Sequence, residues 1–145
     1  MGGLRSLRAR LVASPREIPG GGPRKRRGAN ESESRLKALR AAEAAESKHA
    51  DHVVVLDLRQ QTLVTDYFVI CTGGSRVQIR AIVDAVGEVL ADAARPRARA
   101  IQEGNEAAQW VLLDYGDVVV HVFGPEARTF YRLERLWSDA RIVER

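Results

Sequence analysis

Apolar residues are spaced in two ways along this chain, and each change of spacing marks an element. Two apolar runs, 108–114 and 117–123, meet at Asp114-Tyr115-Gly116-Asp117. A two-residue loop on Tyr115-Gly116, with glycine supplying a positive φ, predicts an antiparallel hairpin there. Alternation in the second run sets Val118, Val120 and Val122 on one face and Val119, His121 and Phe123 on the other. Both sets are apolar, so both faces are expected to be covered. Gly124-Pro125 then predicts a helix over 125–137, because proline is pre-set for the first helical position. Phe130, Leu133 and Leu136 or Trp137 fall on one side of it.

The same reading extends upstream. From Asn30 the sequence turns to helix formers, with Asn30 as a cap, Glu33 in the first turn and Leu36 and Leu39 as a narrow apolar edge, ending near 47–50. Two nearly continuous apolar runs, 53–58 and 66–72, read as strands buried on both sides. Gly73-Gly74 gives a tight exit, and Ser75 followed by Gln78 is a capping-box pattern. The helix it opens, over 76–94, carries Ile79, Ile82 or Val83, Val86, Val89 or Leu90, and Ala93 at helical spacing. Pro96 ends it, and Arg95, Arg97 and Arg99 lead to a short strand near 100–102. The order helix, strand, strand, helix, strand, strand, strand, helix predicts an α/β fold, a mixed β-sheet with flanking helices.

Composition narrows the class. A chain of 145 residues that is 45% hydrophobic supports one ordinary core. The single cysteine, Cys71, excludes an intramolecular disulfide framework and fits a reducing compartment. No apolar run is long enough to span a bilayer, so a soluble intracellular protein is expected, with no membrane partner. The net charge of +4 is unevenly spread. Residues 1–30 hold eight Lys/Arg against Glu17 alone, whereas 31–145 hold fifteen Lys/Arg against eighteen Asp/Glu. The first segment, with Pro15, Pro19, Gly20-Gly21-Gly22-Pro23 and Arg24-Lys25-Arg26-Arg27, reads as a disordered basic tail preceding a domain over 31–145. A tether, an organelle-targeting peptide and sequence upstream of a mis-assigned start remain open for it. Contact with nucleic acid would fall to this tail, whereas the mildly acidic domain suits a basic partner.

Candidate chemistry is sparse. Gly73-Gly74-Ser75 at a helix start, with Arg76 and Arg80 near, could hold a phosphate, but it lacks the spacing of a P-loop. No Asp-x-Asp pair is present to hold the metals of nucleotidyl transfer. Ser75 lacks the second glycine of a nucleophile elbow. Cys71 lies in an apolar strand, His49 and His52 straddle a helix end, and His121 stands between valines as a core histidine does. No catalytic site assembles, and no cofactor or metal is expected. Trp110 differs, since it shares a strand face with Leu112 and Asp114 and ends beside Asp117. A tryptophan beside carboxylates suits an interface anchor, and Val111 and Leu113 are then the core set.

Over 51–140 the chain resembles the ribosomal silencing factors, the Iojap family. The motifs are VVVLDL at 53–58, TDYFVICTGGS at 65–75, EG at 103–104, QWVLLDYGDVVVHVF at 109–123 and RTFYRLERLWSDA at 128–140. The resemblance implies a nucleotidyltransferase-like topology without catalytic carboxylates, and no enzymatic activity. It implies a translation repressor that binds the large ribosomal subunit through large-subunit ribosomal protein fourteen and sterically blocks joining of the small subunit. Trp110, Leu112, Asp114 and Asp117 fall on the best-matched segment and are expected at the partner surface, with Tyr131 next. Cytoplasmic bacterial-type members and organelle members concerned with ribosome assembly are both implied, and a homodimer and a contact of the basic tail with ribosomal RNA are left open. The alternative function is a nucleotide-binding or nucleotidyl-transferring enzyme using the Gly73-Gly74-Ser75 turn.

Overall fold

The structure of the protein is a computed structural model that describes residues 28–91, 101–103 and 109–145. The tail 1–27, the connection 92–100 with Arg95, Arg97 and Arg99, and residues 104–108 lie outside the described residues. The helices are α1 (Gly28–Ser47), α2 (Arg76–Leu90), α3 (Pro125–Tyr131) and α4 (Leu133–Leu136). The strands are β1 (Asp51–Asp57), β2 (Tyr67–Thr72), β3 (Ile101–Glu103), β4 (Trp110–Asp114), β5 (Val118–Phe123) and β6 (Arg141–Ile142). They form one six-stranded mixed sheet in the order β3-β4-β5-β2-β1-β6. Only β2 and β5 pair in parallel, and the other neighbours are antiparallel.

Both faces of the sheet are covered, as the two apolar faces of β5 require. On one face Val118, Val120 and Val122 pack with Val69, Val111 and Leu113 beneath α1 and α2. On the other, Val119 and Phe123 join Phe68, Ile70, Trp110, Leu112, Leu133 and Trp137. Helix α2 resolves its own ambiguities, burying Ile79, Ile82, Val86 and Leu90 and leaving Val89 exposed. It stops at Leu90, short of the expected 94. Ser75 caps it by accepting from Gln78 N–H at 3.1 Å.

Four expectations are corrected. Helix α1 begins at Gly28, so Asn30 lies inside it rather than capping it. Its buried edge is Ser34, Ala38, Ala41, Ala42 and Ala45, while Leu36 is exposed and Leu39 only half-buried. Small side chains let the helix axis approach the sheet, which a search for large apolar residues overlooks. The hairpin loop is Gly116-Asp117, one residue beyond Tyr115-Gly116, because Tyr115 N–H bonds Val118 O at 2.9 Å and Gly116 takes φ +88°. The single helix over 125–137 is two helices, broken at Arg132 in the left-handed region (φ 46°, ψ 51°). Beyond Trp137 the chain adds β6, two residues too short to register as a pattern.

Candidate functional site

Trp110 opens β4 opposite Phe123, on the face that α3 and α4 cover. It is 1% exposed, and its ring centroid lies 4.4 Å from Tyr131, 4.9 Å from Phe123 and 5.9 Å from His121. Its indole Nε1–H donates to His121 Nδ1 at 3.2 Å. His121 is fully buried, with Phe68 edge-on at 4.6 Å, so it is a core histidine oriented by a tryptophan. Leu112, on the same face, is also fully buried. The expected surface position of Trp110 and Leu112 is therefore corrected: the chain after Gly124 folds over them, and they form a second core.

Asp114 and Asp117 are engaged within the fold. Asp114 Oδ1 accepts from Gly116 N–H at 2.7 Å, an Asx turn that shapes the hairpin. Asp117 points to the opposite face from Trp110. Its Oδ1 takes Lys37 Nζ at 2.9 Å, and its Oδ2 lies 2.8 Å from Ser34 Oγ, which is also 3.1 Å from Asp66 Oδ2. These groups fasten α1 to the entry ends of β2 and β5.

Tyr131 keeps part of its side chain at the surface, as Asp114 and Asp117 also do. Half-buried at the end of α3, it caps Trp110 and carries Phe130 edge-on at 5.0 Å. Phe130 is 79% exposed. Helical spacing puts Phe130 on one side with Leu133 and Leu136 or Trp137, but the break at Arg132 changes the phase so that Leu133 and Trp137 turn inward while Phe130 turns out. No signal in the sequence marks that break, since a left-handed residue is expected to be Gly or Asn rather than Arg.

The strands β2 and β5 are parallel neighbours, followed by helices on opposite faces, α2 with one core and α3 with the other. That is the arrangement at which open α/β sheets hold ligands beyond the strand ends. Here the groups at those ends serve the fold. Gly74 N–H donates to Gln78 Oε1 at 2.6 Å, and Gln78 Nε2 bonds Lys48 O at 3.0 Å and His49 O at 2.9 Å, joining the start of α2 to the end of α1. Thr72 Oγ1 takes Arg128, and the Gln109 side chain lies against Gly124. Gly73 has its own packing reason, since a Cβ there would sit 2.9 Å from Ile79 Cγ1. Burial pushes the Cys71 thiol up to about 12, so it carries no thiolate near neutrality. No group of three or more His, Cys, Asp or Glu among the described residues could hold a metal ion. No described helix is long and apolar enough to cross a membrane.

This architecture and its residues are shared with known proteins. The family model described as ribosomal silencing factor during starvation matches residues 30–145. The ribosomal silencing factor of Halalkalibacterium halodurans is 43% identical over 104 residues, 72% of this chain and 87% of that protein. That of Bacillus subtilis is 42% identical over 104 residues, 72% of this chain and 86% of that protein. The chloroplastic protein Iojap of Arabidopsis thaliana is 35% identical over 116 residues, 79% of this chain but 47% of its own length. Among solved structures, a Chromobacterium violaceum protein superposes with a TM-score of 0.65 at 33% identity, covering 72% of this chain and 85% of its own. A Bacillus halodurans protein gives 0.60 at 39% identity, covering 76% and 99%. With the family matched across both helical layers and the whole sheet, the chain belongs to the ribosomal silencing factors.

Proposed function

We propose that the protein represses translation by docking on the large ribosomal subunit, through large-subunit ribosomal protein fourteen, and standing where the small subunit must join. As a member of its family it is a ribosome-associated regulator of translation. Its action on the subunit is steric and non-catalytic. The observation that carries a docking role is Phe130, exposed yet braced through Tyr131 on the buried Trp110. A rigid aromatic at the surface loses little entropy when a partner covers it, which is how interface anchors work. Tyr131 and Phe130 are then the contact residues, and Trp110 and Leu112 support them from below. An interface of about 800 Å² per partner is enough for stable docking. Its relatives carry both bacterial and chloroplast names, and we assign this chain to the bacterial cytoplasm.

The test is co-sedimentation with isolated large subunits. Phe130→Ala should weaken binding by at least about tenfold, roughly the 1.4 kcal/mol of a modest anchor, with an unchanged melting temperature. Leu36→Ala, at an exposed leucine of α1, should leave binding unchanged. Equal binding by wild type and Phe130→Ala would remove this surface from the reading. Titration with nucleoside triphosphates and magnesium addresses the enzymatic alternative, and turnover there would overturn the repressor reading.

A further inference from the structure

We propose that Arg128 is the positioning residue for the α3 surface, setting where Phe130 and Tyr131 stand without itself touching the partner. Helix α3 has seven residues and no fully buried side chain. A helix that short has almost no stability of its own, and only Ala127 and Tyr131 give it apolar contact with the core below. Its attachment is polar. The Arg128 side chain, 11% exposed, sends Nη1–H to Thr72 Oγ1 at 2.8 Å and Nη2–H to His52 O at 2.8 Å. It meets Glu134 Oε2 through Nε at 2.9 Å and Nη2 at 2.6 Å. One guanidinium therefore joins α3 to the end of β2, to β1 and to α4.

Two local irregularities make this junction. Residues 128 and 134 are six apart, about 240° around a continuous helix, so an unbroken 125–137 helix would hold them apart. The left-handed Arg132 folds α4 back and brings Glu134 to Arg128. In β1 the register shifts between Asp51 and Val54, and His52 takes φ 51°; its carbonyl then meets the guanidinium. Both departures from regular structure flank a single planar donor fork, which lysine, a point charge, cannot reproduce.

The inference rests on the docking reading for its functional meaning, and its test separates the two. In a Trp137→Phe background, where Trp110 is the sole tryptophan, Arg128→Lys should raise acrylamide quenching of Trp110 at least twofold while far-ultraviolet circular dichroism is retained. Binding to large subunits should fall about as far as in Phe130→Ala, and Arg128→Lys combined with Phe130→Ala should bind no worse than Phe130→Ala alone. Glu134→Gln, which removes one partner of the fork, should move quenching and binding the same way by less. Unchanged quenching in Arg128→Lys, or losses that multiply in the double variant, would overturn the proposal. If Phe130→Ala and Tyr131→Ala both bind normally while Arg128→Lys still raises quenching, the docking surface is wrong and Arg128 as the residue that positions α3 stands.

Discussion

Trp110 and Leu113 lie three residues apart on one strand and face opposite layers, yet each is almost wholly buried. Truncation of either leaves a cavity that the surroundings fill only in part. Trp110→Ala should cost about 3–5 kcal/mol and Leu113→Ala about 2–5 kcal/mol. Trp110→Phe keeps most of the packing but leaves His121 Nδ1 without its indole donor, at about 1–3 kcal/mol. Chemical denaturation of the three variants checks the order. A Trp110→Ala variant as stable as wild type, but unable to bind large subunits, would restore tryptophan to the partner surface. The alternation along β4 and β5 was legible because side chains of a strand must alternate. What lay on the far side of Trp110 was not, because the pattern of one strand does not report which later segment folds over it.

At the scale of elements, the boundaries that carry a backbone signature were readable and those set by tertiary contacts were not. Pro125 opens α3 and Ser75 caps α2 because each satisfies or removes an orphan N–H locally. The break between α3 and α4 has no such cause in the sequence. Arg132 closes α3 by donating its N–H to Arg128 O at 3.1 Å, and its own carbonyl accepts from Arg135 and Leu136. It does this at φ 46°, a region that costs an ordinary residue about 1–2 kcal/mol. The side chain is exposed and its Nε–H donates to Thr129 O at 3.1 Å; both substitutions below remove that bond, so the difference between them tests the backbone. Arg132→Gly should hold or raise stability by up to about 1 kcal/mol, and Arg132→Val, β-branched and poorly suited to positive φ, should lower it by about 1–2 kcal/mol. Thermal unfolding of the pair reads the difference. A more stable valine variant would mean that α3 and α4 can run as one helix.

Over the whole molecule, α1 is bound to the sheet by an alanine edge, by polar ties near its start and by the C-terminal Arg145, whose Nη1 meets Glu46 Oε1 at 2.7 Å. The polar ties converge on Asp117, which its place beside the Trp110, Leu112 and Asp114 face had marked for a partner. Its backbone carbonyl accepts from both Asp66 and Tyr67 N–H, so the turn is already stitched to β2 without the side chain. The carboxylate adds Ser34 and Lys37. The lysine pair is partly open to water, 27% and 20% exposed, and is worth no more than about 1 kcal/mol after screening. The Ser34 contact is buried on the serine side and ion-assisted, so its loss matters more. Asp117→Ala should therefore lower stability by about 2 kcal/mol and Lys37→Ala by under about 1 kcal/mol. Affinity for large subunits should be unchanged in both, measured where each variant is fully folded, because α1 lies across the sheet from α3. Asp117→Asn is the sharper variant, since it keeps the shape and one acceptor while removing the charge. If it abolished binding with no change in unfolding, Asp117 would be a partner contact and the docking surface would extend around the hairpin to the face of α1.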